Sequence, residues 1–232
     1  MKTILRVSDV TLEYPLPSRY STQGIRKSGV RNITFELFEG EVLGIIGRNG
    51  SGKSTLLKML AGVFPPDNGQ IYSSGTVSLL AGVGVGFHKE LTGRENSYLY
   101  GALMGRSKFE IDQLIDEIQN FSELGYHFDR PLRTYSSGMK SRLGISVATS
   151  FKPDILLIDE VLGVGDASFK QKSQERVRKL ISESGSVIIV SHSYTMLKKI
   201  CDRILLIDEG ENISIGEPDF IIEKYKKILD IG

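Results

Sequence analysis

The chain has 232 residues, 29 Lys+Arg against 28 Asp+Glu, 40% hydrophobic residues and a single cysteine, which fits one large domain, or a domain with a subdomain, and excludes a disulfide scaffold. An ordinary apolar fraction with a formal charge of +1 excludes intrinsic disorder and gives no global electrostatic reason to expect nucleic acid or an anionic membrane as the main partner. Apolar runs such as Val42 to Ile46 and Val187 to Val190 hold four or five residues against the roughly 20 that span a bilayer, and one cysteine with no secretory segment points to a soluble chain in the reducing cytosol.

Short β-branched runs alternate with helical patterns, which predicts a parallel sheet covered by helices. Ile4 to Leu12 and Ile33 to Phe38 alternate apolar and polar residues and read as an antiparallel opening, with a Pro/Ser/Arg-rich segment between Tyr14 and Val30. Val42 to Ile46 is apolar throughout, as a central strand buried on both faces requires. A glycine-rich turn follows, then a helix with Leu56, Leu57, Leu60 and Ala61 at helical spacing. Pro65, Pro66 and Gly69 stop that helix and lead to a short strand pair near Gln70 to Leu80. From Gly93 to Thr149 the texture is helical, with Ile111, Leu114, Ile115 and Ile118 on one face. This pattern predicts an all-helical subdomain, residues 83–149, inserted into an α/β core of residues 1–82 and 150–232. The core resumes with strands at Ile155 to Ile158, Val187 to Val190 and Ile204 to Ile207, and Pro218 to Leu229 closes the chain as a helix.

Glycine is in excess, 25 of 232 residues against an average near 7%, and its positions carry the chemistry. Gly47-Arg48-Asn49-Gly50-Ser51-Gly52-Lys53-Ser54 matches the phosphate-loop pattern G-x-x-x-x-G-K-[ST], between a buried strand and a helix. Glycines at 47, 50 and 52 let the backbone curl so that successive N–H groups point at one anion, and the helix beginning near Lys53 adds unsatisfied donors. Gly47, Asn49, Gly50, Ser51, Gly52, Lys53, Ser54 and Thr55 are therefore the candidate nucleotide contacts, with Lys53 reaching the β- and γ-phosphates and Ser54 offering its hydroxyl to Mg²⁺.

Such a loop works with a carboxylate at the end of a buried strand. Ile-Leu-Leu-Ile-Asp-Glu occurs twice, at 155–160 and 204–209, and composition does not separate the copies. Their surroundings do. The second runs into Gly210 and Glu211-Asn212-Ile213-Ser214-Ile215, a strand, a tight turn and a returning strand. The first runs into Val161-Leu162-Gly163-Val164-Gly165-Asp166 and a helix, so its carboxylates lie at the carboxyl end of a strand, where α/β ligand sites form. Asp159 is assigned to Mg²⁺ through water and Glu160 to polarising the attacking water, with Asp208 and Glu209 as turn residues.

Tyr135-Ser136-Ser137-Gly138-Met139 resembles the signature sequence of ATP-binding cassette proteins, usually Leu-Ser-Gly-Gly-Gln, and the resemblance covers almost the whole chain. Departures at 135, 137 and 139 are similar to those in the ATPase subunits of bacterial polysaccharide exporters, for O-antigen, capsule and teichoic acid. The resemblance implies a P-loop NTPase core with an antiparallel β subdomain and a helical signature subdomain. It implies further that Tyr14 stacks on adenine, that Ser136 and Gly138 form an anion site at a helix start, that Asp166 lies in a loop between two ATP sites, and that His192 contacts the γ-phosphate. These ATPases usually carry a glutamine in the loop entering the helical subdomain; here that stretch is Gly82-Val83-Gly84-Val85-Gly86-Phe87, without one. A comparable glycine-rich stretch before Leu91-Thr92-Gly93-Arg94-Glu95-Asn96 fits the polysaccharide-export branch.

The family geometry implies a homodimer in which Ser136 and Gly138 of one protomer complete the ATP bound at Lys53 of the other. It also implies ATP and Mg²⁺ as cofactors and integral membrane permease subunits as partners. A lipid-linked polysaccharide is the expected cargo, the cytoplasmic face of the inner membrane the expected location, and no nucleic acid is involved. The chain ends near the close of the ATPase, so, if this is the full-length protein, substrate reading is expected elsewhere. Glu160→Gln is expected to keep ATP binding and lose most turnover, whereas Glu209→Gln leaves turnover nearly unchanged; equal losses in a phosphate-release assay would defeat the assignment.

Overall fold

The computed structural model describes residues 2–15, 26–80, 86–159, 167–183 and 185–230. Its elements in chain order are β1 (Thr3–Pro15), β2 (Arg26–Phe38), β3 (Val42–Ile46), α1 (Lys53–Leu60), β4 (Asn68–Ser73), β5 (Val77–Leu80), α2 (Gly93–Leu103), α3 (Lys108–Ser122), α4 (Ser137–Ala148), β6 (Ile155–Ile158), α5 (Ala167–Glu183), β7 (Ser186–Val190), α6 (Tyr194–Ile200), β8 (Arg203–Asp208), β9 (Glu211–Gly216) and α7 (Pro218–Asp230). They gather into two compact units, residues 1–77 with 185–232 and residues 78–184. Among the described residues no helix is long and apolar enough to cross a membrane.

In the first unit the strands run in the order β4-β1-β2-β9-β8-β3-β7. β3 is the centre: it pairs in parallel with β7, Gly44 opposite Ile189, and with β8, Gly44 opposite Ile204. Leu43, Ile45 and Ile46 are buried on it, as the uniformly apolar run demands. β1 pairs antiparallel with both β2 and β4, the alternating opening that the sequence predicts. β4 and β5, however, do not pair with each other as the sequence suggests. Between them Ser74 N and Oγ both donate to Ile4 O, at 3.0 and 3.3 Å. The chain is thereby held along β1 instead of reversing in a hairpin, and β5 lies beside β6.

At the amino end of β3 a partly buried ion pair ties three segments together. Glu41 accepts from Arg203 Nε at 2.6 Å, from Arg203 Nη2 at 3.0 Å and from Phe38 N at 2.8 Å. The Arg203 guanidinium also stacks on the Phe38 ring at 4.8 Å and donates to Glu36 O. Cys201, beneath β3, packs as a small apolar side chain, and burial pushes its thiol up to about 12.

In the second unit β5 and β6 stand with helices α2, α3, α4 and α5. The starts of α2, α3 and α4 are each fixed by a side-chain oxygen. Thr92 with Glu95 and Ser107 with Glu110 form reciprocal capping boxes on α2 and α3, and Ser136 caps α4. Ile111, Ile115 and Ile118 of α3 are buried on one face while Leu114 between them is half-buried, which confirms the helical period.

Because Glu41 is 6% and Arg203 29% exposed, removing one partner strands a poorly hydrated charge. Glu41→Ala is expected to cost about 2 kcal/mol, reduced from the fully buried case by the water around Arg203; the urea unfolding midpoint measures it.

Candidate nucleotide site

In the first unit, β3 delivers the chain into the loop at Gly47 and α1 takes it up at Lys53. The curl exists because backbone packs on backbone. A Cβ on Gly47 would stand 2.0 Å from Ile207 O of β8, and one on Gly52, whose φ is +98°, would stand 2.2 Å from Gly29 O of β2. Ser51 N donates to Arg48 O at 3.1 Å, and Leu56 N starts the helix ladder on Gly52 O at 2.8 Å. Lys53 is buried, its Nζ donating to Gly47 O at 2.8 Å and Arg48 O at 2.7 Å. Ser51 Oγ is buried with no hydrogen-bond partner among the described residues. A concave loop of backbone donors, an ammonium folded onto it and an unsatisfied hydroxyl fit a polyphosphate. Arg48, Asn49, Gly50 and Ser54 are exposed along the loop and Thr55 is half-buried. The Ser54 hydroxyl stands at the start of α1, a donor type suited to Mg²⁺.

Two further predicted residues belong to this unit. Tyr14, near the end of β1, is 38% exposed, its hydroxyl 3.2 Å from Thr55 Oγ1 and its ring edge-on to Phe64. That bond leans the ring on α1 just beyond the loop. Gly29 makes room for it, since a Cβ there would lie 2.9 Å from the Tyr14 ring and 3.1 Å from the Thr55 methyl. No local pattern marks this role, because Gly29 falls in the Pro/Ser/Arg-rich segment. His192 is exposed just past the carboxyl end of β7, in a turn closed by Ser193 N on Ser191 Oγ at 3.1 Å.

The second unit holds the rest. Asp159 follows β6 directly, half-buried, its N–H bonded to Leu80 O at 3.1 Å. Ser136 is the N-cap of α4, accepting from Met139 N at 3.2 Å, and Gly138 lies in the first turn beside it. An α-helix start with an exposed serine hydroxyl offers donors to an anion. Tyr135, where a leucine is usual in the resembled motif, is buried and donates to His127 O at 2.6 Å. Burial pushes its phenol up to about 12, so it remains a donor throughout the neutral range. Gly93 admits that hydroxyl, because a Cβ there would lie 2.5 Å from it. Glu160, Asp166 and the stretch from Gly82 to Val85 lie outside the described residues.

The second hexapeptide ends differently. Glu209 at φ +48° and Gly210 at φ +84° are the central residues of a two-residue turn, with Asp208 of β8 opposite Glu211 of β9, the primed geometry of a tight hairpin. Asp208 keeps one carboxylate oxygen buried without a partner among the described residues.

Residues 30–163 match the model of the family described as ABC transporter. The O-antigen export system ATP-binding protein RfbB of Klebsiella pneumoniae is 40% identical over 245 residues, covering 99% of this chain and 100% of that protein. The teichoic acids export ATP-binding protein TagH of Enterococcus faecalis is 40% identical over 200 residues, covering 86% of this chain and 44% of that protein. A solved structure described as the ATP binding subunit of an ABC transporter superposes with a TM-score of 0.75 at 22% identity, covering 97% of this chain and 94% of its own.

Gly52→Ala sets a side chain against Gly29 O, whereas Gly62→Ala, also at positive φ (+72°), has open space around it. Both carry the backbone penalty of about 1–2 kcal/mol. Only Gly52→Ala is expected also to lower nucleoside triphosphate affinity, by at least about tenfold, as measured by calorimetry.

Proposed function

The chain belongs to the ABC transporter family, and from that premise we propose that it is the ATP-hydrolysing subunit that powers export of a lipid-linked, O-antigen-like polysaccharide. It works as a homodimer on integral membrane permease subunits, at the cytoplasmic face of the inner membrane. The observation that carries the polysaccharide class is the end-to-end match to an O-antigen export ATP-binding protein. The match to a teichoic acids export protein supports the same kind of cargo, and makes a teichoic acid exporter the second reading.

Gly47, Asn49, Gly50, Ser51 and Gly52 wrap the phosphates with backbone N–H groups, and Lys53 turns from the loop carbonyls to the β- and γ-phosphates. Ser54 and Thr55 contact the phosphates from the first turn of α1, and Tyr14 offers its ring to adenine, a contact that needs only a π face. Mg²⁺, when bound, neutralises charge on the transferring phosphoryl group, and Ser54 with Asp159, through water, would hold it. Glu160 orients the attacking water, and His192 donates to the γ-phosphate as charge develops on it. Ser136 and Gly138 of one protomer close over the ATP held at Lys53 of its partner, with Asp166 in the loop between the two sites. ATP then joins the protomers by mass action, and loss of the γ-phosphate releases them.

A mixing experiment tests the shared site. Lys53→Ala cannot hold the phosphates and Ser136→Glu sets a carboxylate against them, so each alone is expected to be inactive with Mg²⁺ and ATP. A mixture contains heterodimers with one intact site and is expected to recover phosphate release. No recovery by any mixture would mean that each chain completes its own site, and no turnover by the unaltered protein would defeat the ATPase reading itself.

A further inference from the structure

Within the second unit a single carboxylate holds two helices. Glu123 ends α3 with φ +55° and ψ +29°, a conformation that L residues other than Asn and Asp rarely adopt. Its two oxygens diverge: Oε2 accepts from Arg142 Nη1 of α4 at 2.7 Å, and Oε1 from Lys172 Nζ of α5 at 2.6 Å. Lys172 and Arg142 hold the Glu123 carboxyl below the usual carboxylate range. Arg142 is only 17% exposed, and its guanidinium lies between that carboxylate and the ring of Phe169 on α5, 4.5 Å away. Phe169 is buried and meets Phe121 of α3 at 5.8 Å, and the Lys172 ammonium lies 4.7 Å from the Phe121 ring.

The helix pinned in this way is the one whose first turn carries Ser136 and Gly138. Arg142 lies six residues beyond Ser136, roughly 9 Å along the axis at helical rise. Gripped by a carboxylate on one side and an aromatic face on the other, it fixes the rotation of α4 about its own axis. Rotation is what aims an N-terminal anion site, since hydrogen bonds to an oxyanion weaken steeply with angle and distance. A neighbouring pair supplies a contrast. Glu117 of α3 accepts from Arg176 Nη2 of α5 at 2.6 Å, and the same nitrogen donates to Ser150 Oγ just past α4 at 3.0 Å, a dock at the far end of α4 from Ser136.

We propose that Glu123 is a positioning residue for ATP turnover, holding the signature helix α4 against α5 so that Ser136 and Gly138 are presented in one orientation. This rests on the reading of those two residues as the group that completes the ATP site of the partner protomer. Glu123 touches no nucleotide, and the loop that binds ATP lies in the other unit. Its loss therefore falls on the catalytic step and leaves ATP binding intact.

The test is steady-state ATPase kinetics on Glu123→Gln, Glu123→Asp and Glu117→Gln beside the unaltered protein, with fluorescent mant-ATP binding and thermal melting on each. Glu123→Gln is expected to lower kcat about tenfold with KM and mant-ATP affinity within about twofold of the unaltered protein. Glu123→Asp keeps the charge on a side chain one methylene shorter and is expected to recover part of kcat. Glu117→Gln is expected to stay within about twofold. If Glu123→Gln does not fold, Arg142→Lys reads the same link, with the same loss of kcat at unchanged KM expected. The inference is overturned by an unchanged kcat, by a rise in KM that accounts for the loss, or by an equal loss in Glu117→Gln. Absence of turnover in the unaltered protein would instead defeat the functional reading on which the inference rests.

Discussion

The site in the first unit depends on backbone lying against backbone. Gly47 passes within contact of the Ile207 carbonyl, and Gly52 within contact of the Gly29 carbonyl, where a methyl group would stand at 2.0 and 2.2 Å. Two strands, β8 and β2, thus form the wall against which the phosphate loop curls. Their positions are set in turn by pairing: β8 directly on β3, and β2 through β9. The Glu41–Arg203 pair clamps the opposite end of β3 and β8. The fold therefore serves the loop by bringing carbonyl groups so close that only glycine fits, and the loop's donors then have one direction left in which to point.

That part of the molecule was readable from residues in order, because its signals are local. Uniformly apolar Val42 to Ile46 and the spacing from Gly47 to Ser54 depend on neighbours a few positions away, as does the Ser136 cap in the second unit. The tight turn at Glu209-Gly210 likewise separated the two hexapeptides. What escaped depends on contacts distant in sequence. Gly29 serves Tyr14 and Gly52 across strands. Gly93 makes room for a hydroxyl 42 positions later, at Tyr135. The strand pair expected near Gln70 to Leu80 failed for the same reason, because Ser74 is held by Ile4. Glu123, Arg142 and Lys172 belong to three helices and carry no common motif. Residues 160–166, where Glu160 and Asp166 fall, lie outside the described structure, and their roles rest on the motif and the family.

The two units secure their functional residues by different physics. In the first, close packing and backbone hydrogen bonds define most of the geometry, supplemented by the Glu41–Arg203 pair and the Lys53 ammonium, both largely out of water. In the second, the α3, α4 and α5 arrangement leans on ion pairs that remain partly in water, Glu123 being 45% and Lys172 39% exposed. Such pairs are each worth about 1 kcal/mol or less and are screened at high ionic strength. The aromatic faces of Phe121 and Phe169 offset this weakness, since stacked cations keep their contact area when the charges are screened.

Lys53 links the loop's shape to its ligand. Turning successive N–H groups inward directs carbonyl oxygens the other way, and those dipoles need a positive partner. The buried ammonium supplies one, donating to both Gly47 O and Arg48 O. The loop is thereby held curled by the same charge that a phosphate attracts. A polyphosphate entering the concave side competes with two carbonyls for that ammonium and also meets backbone donors already aligned, so little ordering remains to be done on binding. On the proposed reading the lysine is both a ligand group and part of the scaffold, so a shorter or uncharged side chain at position 53 would loosen the loop as well as weaken its hold on phosphate.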